Sequence, residues 1–293
     1  MKIGSEAHKE LFCHTFLDSY LEYEPEHLPW PNLDQEARAR LQSIPFWGIA
    51  IDTEHEAGTM LAAYAETISD PLLRAAITLQ AKEEARHCRL IQTLVCHYDI
   101  AVPERPVYDV PANLHQTFVN FGYMECIDSF LAFGMFRLGC QSGFVPTSLT
   151  DLFEPLLDEE ARHIVFFVNA IAYLQIQQGR RSKLWRDSYA LLRYGRSILR
   201  QMNDIRRSGN REGGFTATGI SAISFEVTPV QFLATCLAEN RQRMSQFDPR
   251  LLQPQFLPQT GAAVYRLLEF FSTSNNKREY PPALRDEAKT DLP

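Results

Sequence analysis

Residues 83–87 read Glu83-Glu84-Ala85-Arg86-His87, and the same five residues return at 159–163 as Glu159-Glu160-Ala161-Arg162-His163. On an α-helix, side chains three positions apart lie on one face, about one turn from each other. Each copy therefore brings a glutamate and a histidine to where both can bind one metal ion: Glu84 with His87, and Glu160 with His163.

Both Glu-x-x-His pairs interrupt helix faces that are otherwise apolar. Helical steps along the first copy give Leu73, Ile77, Gln80, Glu84, His87, Ile91 and Leu94, and along the second Phe153, Leu156, Glu160, His163, Phe167, Ala170 and Leu174. Unpaired charges on such faces would be costly to bury, and a metal ion removes that cost. An exposed face with a chance histidine is a fair explanation of one such motif, but a poor one of two identical motifs.

The segments around the motifs predict long helices. Ala, Leu, Glu, Gln and Arg recur over stretches without glycine or proline, which is typical of helix rather than sheet. Asp70 can cap and Pro71 can open a helix. The proline-rich connection at 103–111 is long enough for the chain to cross over instead of forming a tight hairpin. We predict an all-α fold whose four main helices cover about residues 45–68, 71–98, 113–140 and 148–178.

The remaining segments are predicted to complete a single domain over residues 1–273. A short helix near residues 5–22 and a proline-rich stretch precede the bundle, which spans about residues 45–178. C-terminal helices are expected between about 182 and 273, with a Gly-rich loop at 208–219 as a candidate lid. Residues 274–293 are polar and contain prolines, which predicts a disordered tail.

Two further carboxylates are expected, because a dinuclear site of this kind takes one from each of two other helices. The third helix offers Glu125, which lies on a largely apolar stripe. The first offers Glu54 or Glu56, and the stripe through Glu54 is the more apolar, which favours Glu54. Thirty positions separate Glu54 from Glu84, and 35 separate Glu125 from Glu160. Each spacing takes the chain along one helix, through a turn and back to the same height.

This pattern resembles the ferritin-like di-iron carboxylate superfamily over roughly residues 45–178. Within it, the [Asp/Glu]-Glu-x-Arg-His form and the spacings most resemble the p-aminobenzoate N-oxygenase group. The segment 52–57, Asp-Thr-Glu-His-Glu-Ala, is similar to the first-helix motif of the aldehyde-deformylating oxygenases, which again favours Glu54. The resemblance implies a ferritin-like four-helix bundle with a long crossover, here with extra C-terminal helices.

Two positions depart from related proteins. Leu156 stands where the N-oxygenases carry an additional histidine, one turn before the glutamate of the fourth helix. Ile91 stands where ribonucleotide reductase small subunits place a radical tyrosine, so a stable tyrosyl radical at that position is excluded.

Asp128 is a candidate for accepting a hydrogen bond from one of the metal-binding histidines. It lies one turn after Glu125, and metal-bound imidazoles usually donate their second N–H to a carboxylate. An ion pair of Asp128 with Arg86 or Arg162 is an equally good interpretation.

The composition of the chain limits the kinds of partner that it is expected to bind. The formal net charge of -7 and the pI of about 5.7 give no indication of a nucleic-acid or anionic-membrane surface. The N-terminus lacks an apolar signal core, and no run of eighteen uncharged apolar residues occurs. The six cysteines form no CxxC pair and no framework spacing. We therefore expect a cytoplasmic protein that binds neither nucleic acid nor membrane.

The six candidate ligands suit two iron ions, with manganese as the alternative; they are Glu54, Glu84, His87, Glu125, Glu160 and His163. With the resemblance, they predict a di-iron oxygenase or oxidase that uses O2 as co-substrate and oxidises a small organic substrate. An oxygenase would also need an electron donor. A ferroxidase or iron-storage protein and a di-manganese catalase are the alternatives. The C-terminal helices favour the enzyme, a homodimer, and an apolar pocket between these helices and the bundle.

Overall fold

The computed structural model describes residues 1–104, 107–207 and 227–276, and these residues form helices without a β-strand. The all-α prediction is therefore confirmed for the described part of the chain. The α-helices are α1 Glu6–Asp18, α2 Gln35–Gln42, α3 Trp47–Glu66, α4 Pro71–His97, α5 Leu114–Ser142, α6 Thr147–Thr150, α7 Glu154–Gln177, α8 Lys183–Arg207, α9 Pro229–Met244 and α10 Phe256–Asn276.

Local signals set the ends of the long helices. Asp70 caps α4, because its side chain accepts a hydrogen bond from the backbone N–H of Leu73 at 2.9 Å, and Pro71 occupies the first turn. Asn113 caps α5 in the same way, and α5 ends at Ser142; the next residue, Gly143, has a φ of 67°, the left-handed conformation that favours glycine. Each boundary lies within a few residues of its predicted position.

The fourth predicted helix, 148–178, is interrupted. Its first turns are the short α6 and a 3₁₀ turn over Asp151–Phe153, and α7 begins only at Glu154. Pro155 explains the break, because proline is tolerated in the first turn of a helix but cannot continue one.

Other boundaries also differ from the prediction. The first helix ends at Asp18 rather than near residue 22, and α2 was not predicted. The helix α2 is only eight residues long and buries just Ala37 and Leu41, so its periodic signal is weak. The helix α10 extends to Asn276, so residues 274–276 are helical rather than tail. Residues 277–293 and the loop at 208–219 lie outside the described residues.

Four helices enclose the core that holds the two motifs. α3 packs on α4 and α5, and α7 packs on α5 and α4. α1 covers α4 and α7 on one side, while α8 and α9 pack on α5. Within the described ranges, no helix combines the length and apolar character needed to cross a membrane.

One close helix approach depends on glycine. A Cβ atom at Gly134 of α5 would lie 2.9 Å from the backbone nitrogen of Cys236 on α9 and would also clash with its sulfur. A Cβ atom at Gly139, five positions along the same helix, would meet nothing within 4 Å.

We predict that Gly134→Ala destabilises the protein by about 1–3 kcal/mol, because α9 must move away from α5. The matched control Gly139→Ala should instead gain up to about 1 kcal/mol from helix propensity. Equilibrium unfolding in urea measures both changes. Equal effects of the two substitutions would show that the α5–α9 contact does not need glycine.

Candidate metal centre

The four residues of the repeated motif meet in the core between α4 and α7. Ligand atoms of Glu84, His87, Glu160 and His163 all lie within 4.8 Å of one another, and all four side chains are buried. The two imidazole centroids are 5.5 Å apart. The structure thus brings together, from residues about 76 positions apart in sequence, a group that could hold a metal ion.

Each of the two glutamates faces both histidines. Glu84 places Oε1 3.1 Å from His163 Nδ1 and Oε2 3.7 Å from His87 Nδ1. Glu160 places Oε1 3.0 Å from His87 Nδ1 and Oε2 3.7 Å from His163 Nδ1. The arrangement therefore has an approximate two-fold symmetry, in which each carboxylate presents one oxygen to each imidazole.

The carboxylates expected from α3 and α5 lie beside this group. Glu54 Oε2 is 3.5 Å from His87 Nδ1, whereas Glu56 is exposed. Glu125 neighbours Glu160, and it accepts a hydrogen bond from the Ser129 hydroxyl at 3.2 Å. Of the two candidates on α3, Glu54 is the one next to a histidine.

Two residues of the motif itself support the histidines from behind. His87 Nε2 lies 2.8 Å from Glu159 Oε2, and His163 Nε2 lies 2.9 Å from Glu83 Oε2. This is the position in which Asp128 was expected; Asp128 instead lies in the wall of the adjoining cavity. Each copy of the motif thus orients the histidine of the other copy, as carboxylates behind metal-binding imidazoles do.

The repeated arginines complete this outer layer. Arg86 forms an ion pair with Glu159, and Arg162 pairs with Glu83 at 3.1 Å. Both arginines thus have a carboxylate partner within the repeated motifs. The signal for these roles was the repetition of all five residues, since ligation alone requires only the second and fifth.

The N-terminal segment fixes both arginines in place. Arg86 donates to the backbone carbonyl of Leu21 at 2.7 Å, and Arg162 donates to that of Phe16 at 3.0 Å. On one side only, the Tyr23 hydroxyl also donates to Glu159, at 3.3 Å. α1 and the segment that follows it therefore close the motif pair off from solvent.

Burial and mutual proximity shift the pKa values of this cluster in opposite directions. Burial raises the pKa of Glu54 to about 8. Burial also tends to raise the pKa of Glu84, but the charge of His163 and the closeness of both imidazoles outweigh it and lower the pKa to about 2. Burial tends to lower the pKa of His87, but its hydrogen bond to Glu159 and the closeness of Glu160 raise it well above its ordinary value. The cluster therefore attracts positive charge to its centre.

Several buried polar atoms at the centre lack a hydrogen-bond partner. They are Nδ1 of His87 and of His163, Oε1 of Glu84 and Oε2 of Glu160. Buried polar groups are nearly always satisfied, so such a convergent set could hold a ligand. A divalent cation accepts donation from all of these atoms at once, and carboxylate with imidazole suits Fe(II) or Mn(II). The residues present fit a metal site.

A cavity of about 770 Å³ adjoins the site, and Glu54, Glu84, Glu125 and Glu160 form part of its wall. The rest of the wall is mainly apolar and comes from α2 to α7 and their connections. The pocket was predicted between the bundle and the C-terminal helices, and this prediction was wrong: among the described residues, none beyond Glu160 lines the cavity. α8 and α9 instead pack on α5.

No family model, curated protein or solved structure matches this chain. Function must therefore be inferred from the chemistry of the chain's own residues.

We predict that Glu83→Gln weakens metal binding about 10- to 100-fold, because the variant keeps the shape but loses the charge that supports His163. Glu159→Gln should weaken metal binding to a similar extent, because Glu159 supports His87 in the same way. Titration with Mn(II) or Fe(II) under argon measures the affinity, and Glu66→Gln, on an exposed position of α3, is the control. An unchanged affinity in both buried variants would show that these carboxylates do not act on the metal.

Proposed function

We propose that the chain is a di-iron oxidoreductase that uses O2 as co-substrate to oxidise a small organic molecule, and that α3, α4, α5 and α7 form a ferritin-like bundle around the metals. The observation that carries the proposal is the geometry of Glu84 and Glu160. A carboxylate that presents one oxygen to each of two imidazoles is placed to bridge two ions.

Charge supports two ions rather than one. Arg86 and Arg162 already balance Glu159 and Glu83 in the outer layer. The four inner carboxylates then match the four positive charges of two divalent cations, so the buried site is neutral when both are bound; these carboxylates are Glu54, Glu84, Glu125 and Glu160.

The ligand roles follow from the distances. Glu54 lies beside His87, and these two residues would bind the same ion. Glu125 neighbours Glu160 and, together with His163, would bind the other ion. When bound, two ferrous ions would supply electrons to reduce O2, and an oxygenase would need further electrons from an external donor. Glu83 and Glu159 hold the imidazoles in the orientation that ligation needs.

The cavity supports an organic substrate. Apolar side chains of the cavity wall lie next to the inner carboxylates. A site that only oxidises iron does not require an apolar cavity of this kind. A ferroxidase or storage protein and a di-manganese catalase remain the alternatives. A cage of a dozen or more chains loaded with hundreds of irons would favour storage, and rapid breakdown of hydrogen peroxide by the manganese form would favour the catalase. We expect a dimer.

We predict about two irons per chain, and at least one fewer in Glu160→Ala, because Glu160 presents one oxygen to each of the two imidazoles. Metal analysis after anaerobic loading with Fe(II) measures this number. A Glu160→Ala variant that retains the full complement would contradict the assignment.

Within α3, we predict that Glu54→Ala abolishes the reaction of the Fe(II) protein with O2, while Glu56→Ala leaves it largely intact. Glu54 is the carboxylate beside His87, whereas Glu56, two positions further along α3, is exposed. Stopped-flow absorbance after mixing with O2 compares the two. Loss of the reaction in Glu56→Ala alone would make Glu56 the ligand.

A further inference from the structure

The helix α8 presents an apolar face to solvent. This leucine face is formed by side chains that are 51–78% exposed, namely Leu184, Leu191, Leu192 and Leu199. Because 3.6 residues make one helical turn, these four positions fall within an arc of about 100° around the helix. Another side of α8 packs on α5 and buries Tyr194. An apolar face of this length on the surface is a mark of an interaction site.

Small residues lie between the leucines on this face. Ser188 is exposed, and a Cβ atom at Gly195 would meet nothing within 4 Å. Between Leu184 and Leu199 the face therefore consists of leucines and small residues, and it can rest against a broad, flat partner.

Positive charge is concentrated on the same segment. Residues 180–207 contain nine of the 29 lysines and arginines of the chain and two of its 36 acidic residues, which gives a net charge of +7. The rest of the chain carries −14, so the net charge of the whole molecule does not reveal this basic segment. One of the two acids, Asp187, is paired with Lys183 at 2.6 Å. Arginines that are exposed on this segment include Arg180, Arg181 and Arg196.

An aromatic pair borders the leucine face. The exposed Trp185 stacks on Tyr189 with ring centroids 5.0 Å apart, and the guanidinium of Arg180 lies 4.8 Å from the centroid of Trp185. Tryptophan and tyrosine favour the boundary between water and lipid, where a neighbouring arginine can reach the phosphate groups. The border of the face thus has the chemistry of a lipid headgroup contact.

Charge and apolar character together identify the partner. Two copies of α8 in contact through this face would bring together two segments of net charge +7, which repel each other. A nucleic acid would match the charge, but its phosphate backbone would leave the leucines uncovered. An anionic bilayer matches both, because its acyl chains accept apolar side chains and its headgroups attract arginine.

We propose that the leucine face of α8 docks the protein on the surface of an anionic phospholipid membrane. The helix lies along the surface, its leucines enter the boundary between headgroups and acyl chains, and Arg180, Arg181 and Arg196 contact lipid phosphates. The expectation that the protein binds no membrane rested on the net charge of the whole chain, and this proposal departs from it. Docking requires neither metal nor O2, so it is independent of the proposed function.

Sedimentation of the full-length protein with lipid vesicles tests the membrane and its charge. We expect binding to phosphatidylglycerol vesicles to be at least about tenfold tighter than binding to phosphatidylcholine vesicles, because each exposed arginine adds to the attraction. Added salt should weaken the binding, since it screens exposed charges. Equal affinity for the two lipids, or binding to neither, would overturn the proposal.

The double variant Leu191→Gln with Leu192→Gln tests the leucine face. Both positions are exposed and glutamine is a good helix former, so α8 should be kept. We expect binding to phosphatidylglycerol vesicles to weaken at least about tenfold, because two apolar side chains no longer enter the bilayer. The matched control is Val102→Gln with Val107→Gln, which changes two exposed valines in the connection between α4 and α5 and should leave binding unchanged.

Two results of this variant would contradict the proposal. One is unchanged binding to the vesicles. The other is a change of oligomeric state in light scattering without lipid, which would assign the face to a second copy of the chain.

Tryptophan fluorescence locates the contact. The chain contains three tryptophans, Trp30, Trp47 and Trp185. On addition of phosphatidylglycerol vesicles, we expect the emission to move to shorter wavelength, because Trp185 enters a less polar environment. Trp185→Phe should remove this shift and still sediment with the vesicles. A shift that persists in Trp185→Phe would place the contact elsewhere on the protein and overturn the assignment to α8.

Discussion

The structure depends on one electrostatic constraint: charged carboxylates and imidazoles are buried together in an apolar core. Glu84, Glu160, His87 and His163 are at most 7% exposed. Transfer of such groups from water is expensive unless opposite charge and hydrogen bonds compensate for it. The protein compensates at two levels, with arginine–glutamate pairs behind the histidines and with inner carboxylates that converge on a place where cations would lie.

The same compensation couples the helices. Since Glu83 orients the histidine of α7 and Glu159 orients that of α4, neither motif is complete without the other helix. The arginines extend this connection to the N-terminal segment through the carbonyl groups of Leu21 and Phe16. Changes in α1 are thus linked to the centre of the site through hydrogen bonds, although no residue of α1 faces the cavity.

Much of this arrangement could be predicted from the sequence, because it depends on local periodicity. The spacing of glutamate, histidine and apolar residues predicts the four long helices and the faces that they bury, and the stripe through Glu54 selects it over Glu56. The functions of Glu83 and Glu159 could not be predicted in this way. Each is adjacent to a candidate ligand and points elsewhere on its own helix, so its partner is known only once α4 and α7 are packed together.

The position of the cavity was missed for a related reason. Helical periodicity identifies α8 and α9 as amphipathic, but it does not say which surface of the bundle they cover. They pack on α5, and the open space lies on the side of α2, α3 and α6. The interruption at Pro155 contributes to this space, since the short α6 supplies Leu149 and Thr150 to the wall.

The central proposal is that Glu84 and Glu160 would together hold two metal ions. X-ray diffraction from crystals grown anaerobically with Fe(II), measured on both sides of the iron absorption edge, tests it most directly. We expect two anomalous peaks about 3.5–4 Å apart, a separation usual for paired metals, with each peak bonded to one oxygen of both glutamates. A single peak, or iron bound away from Glu84 and Glu160, would contradict the claim.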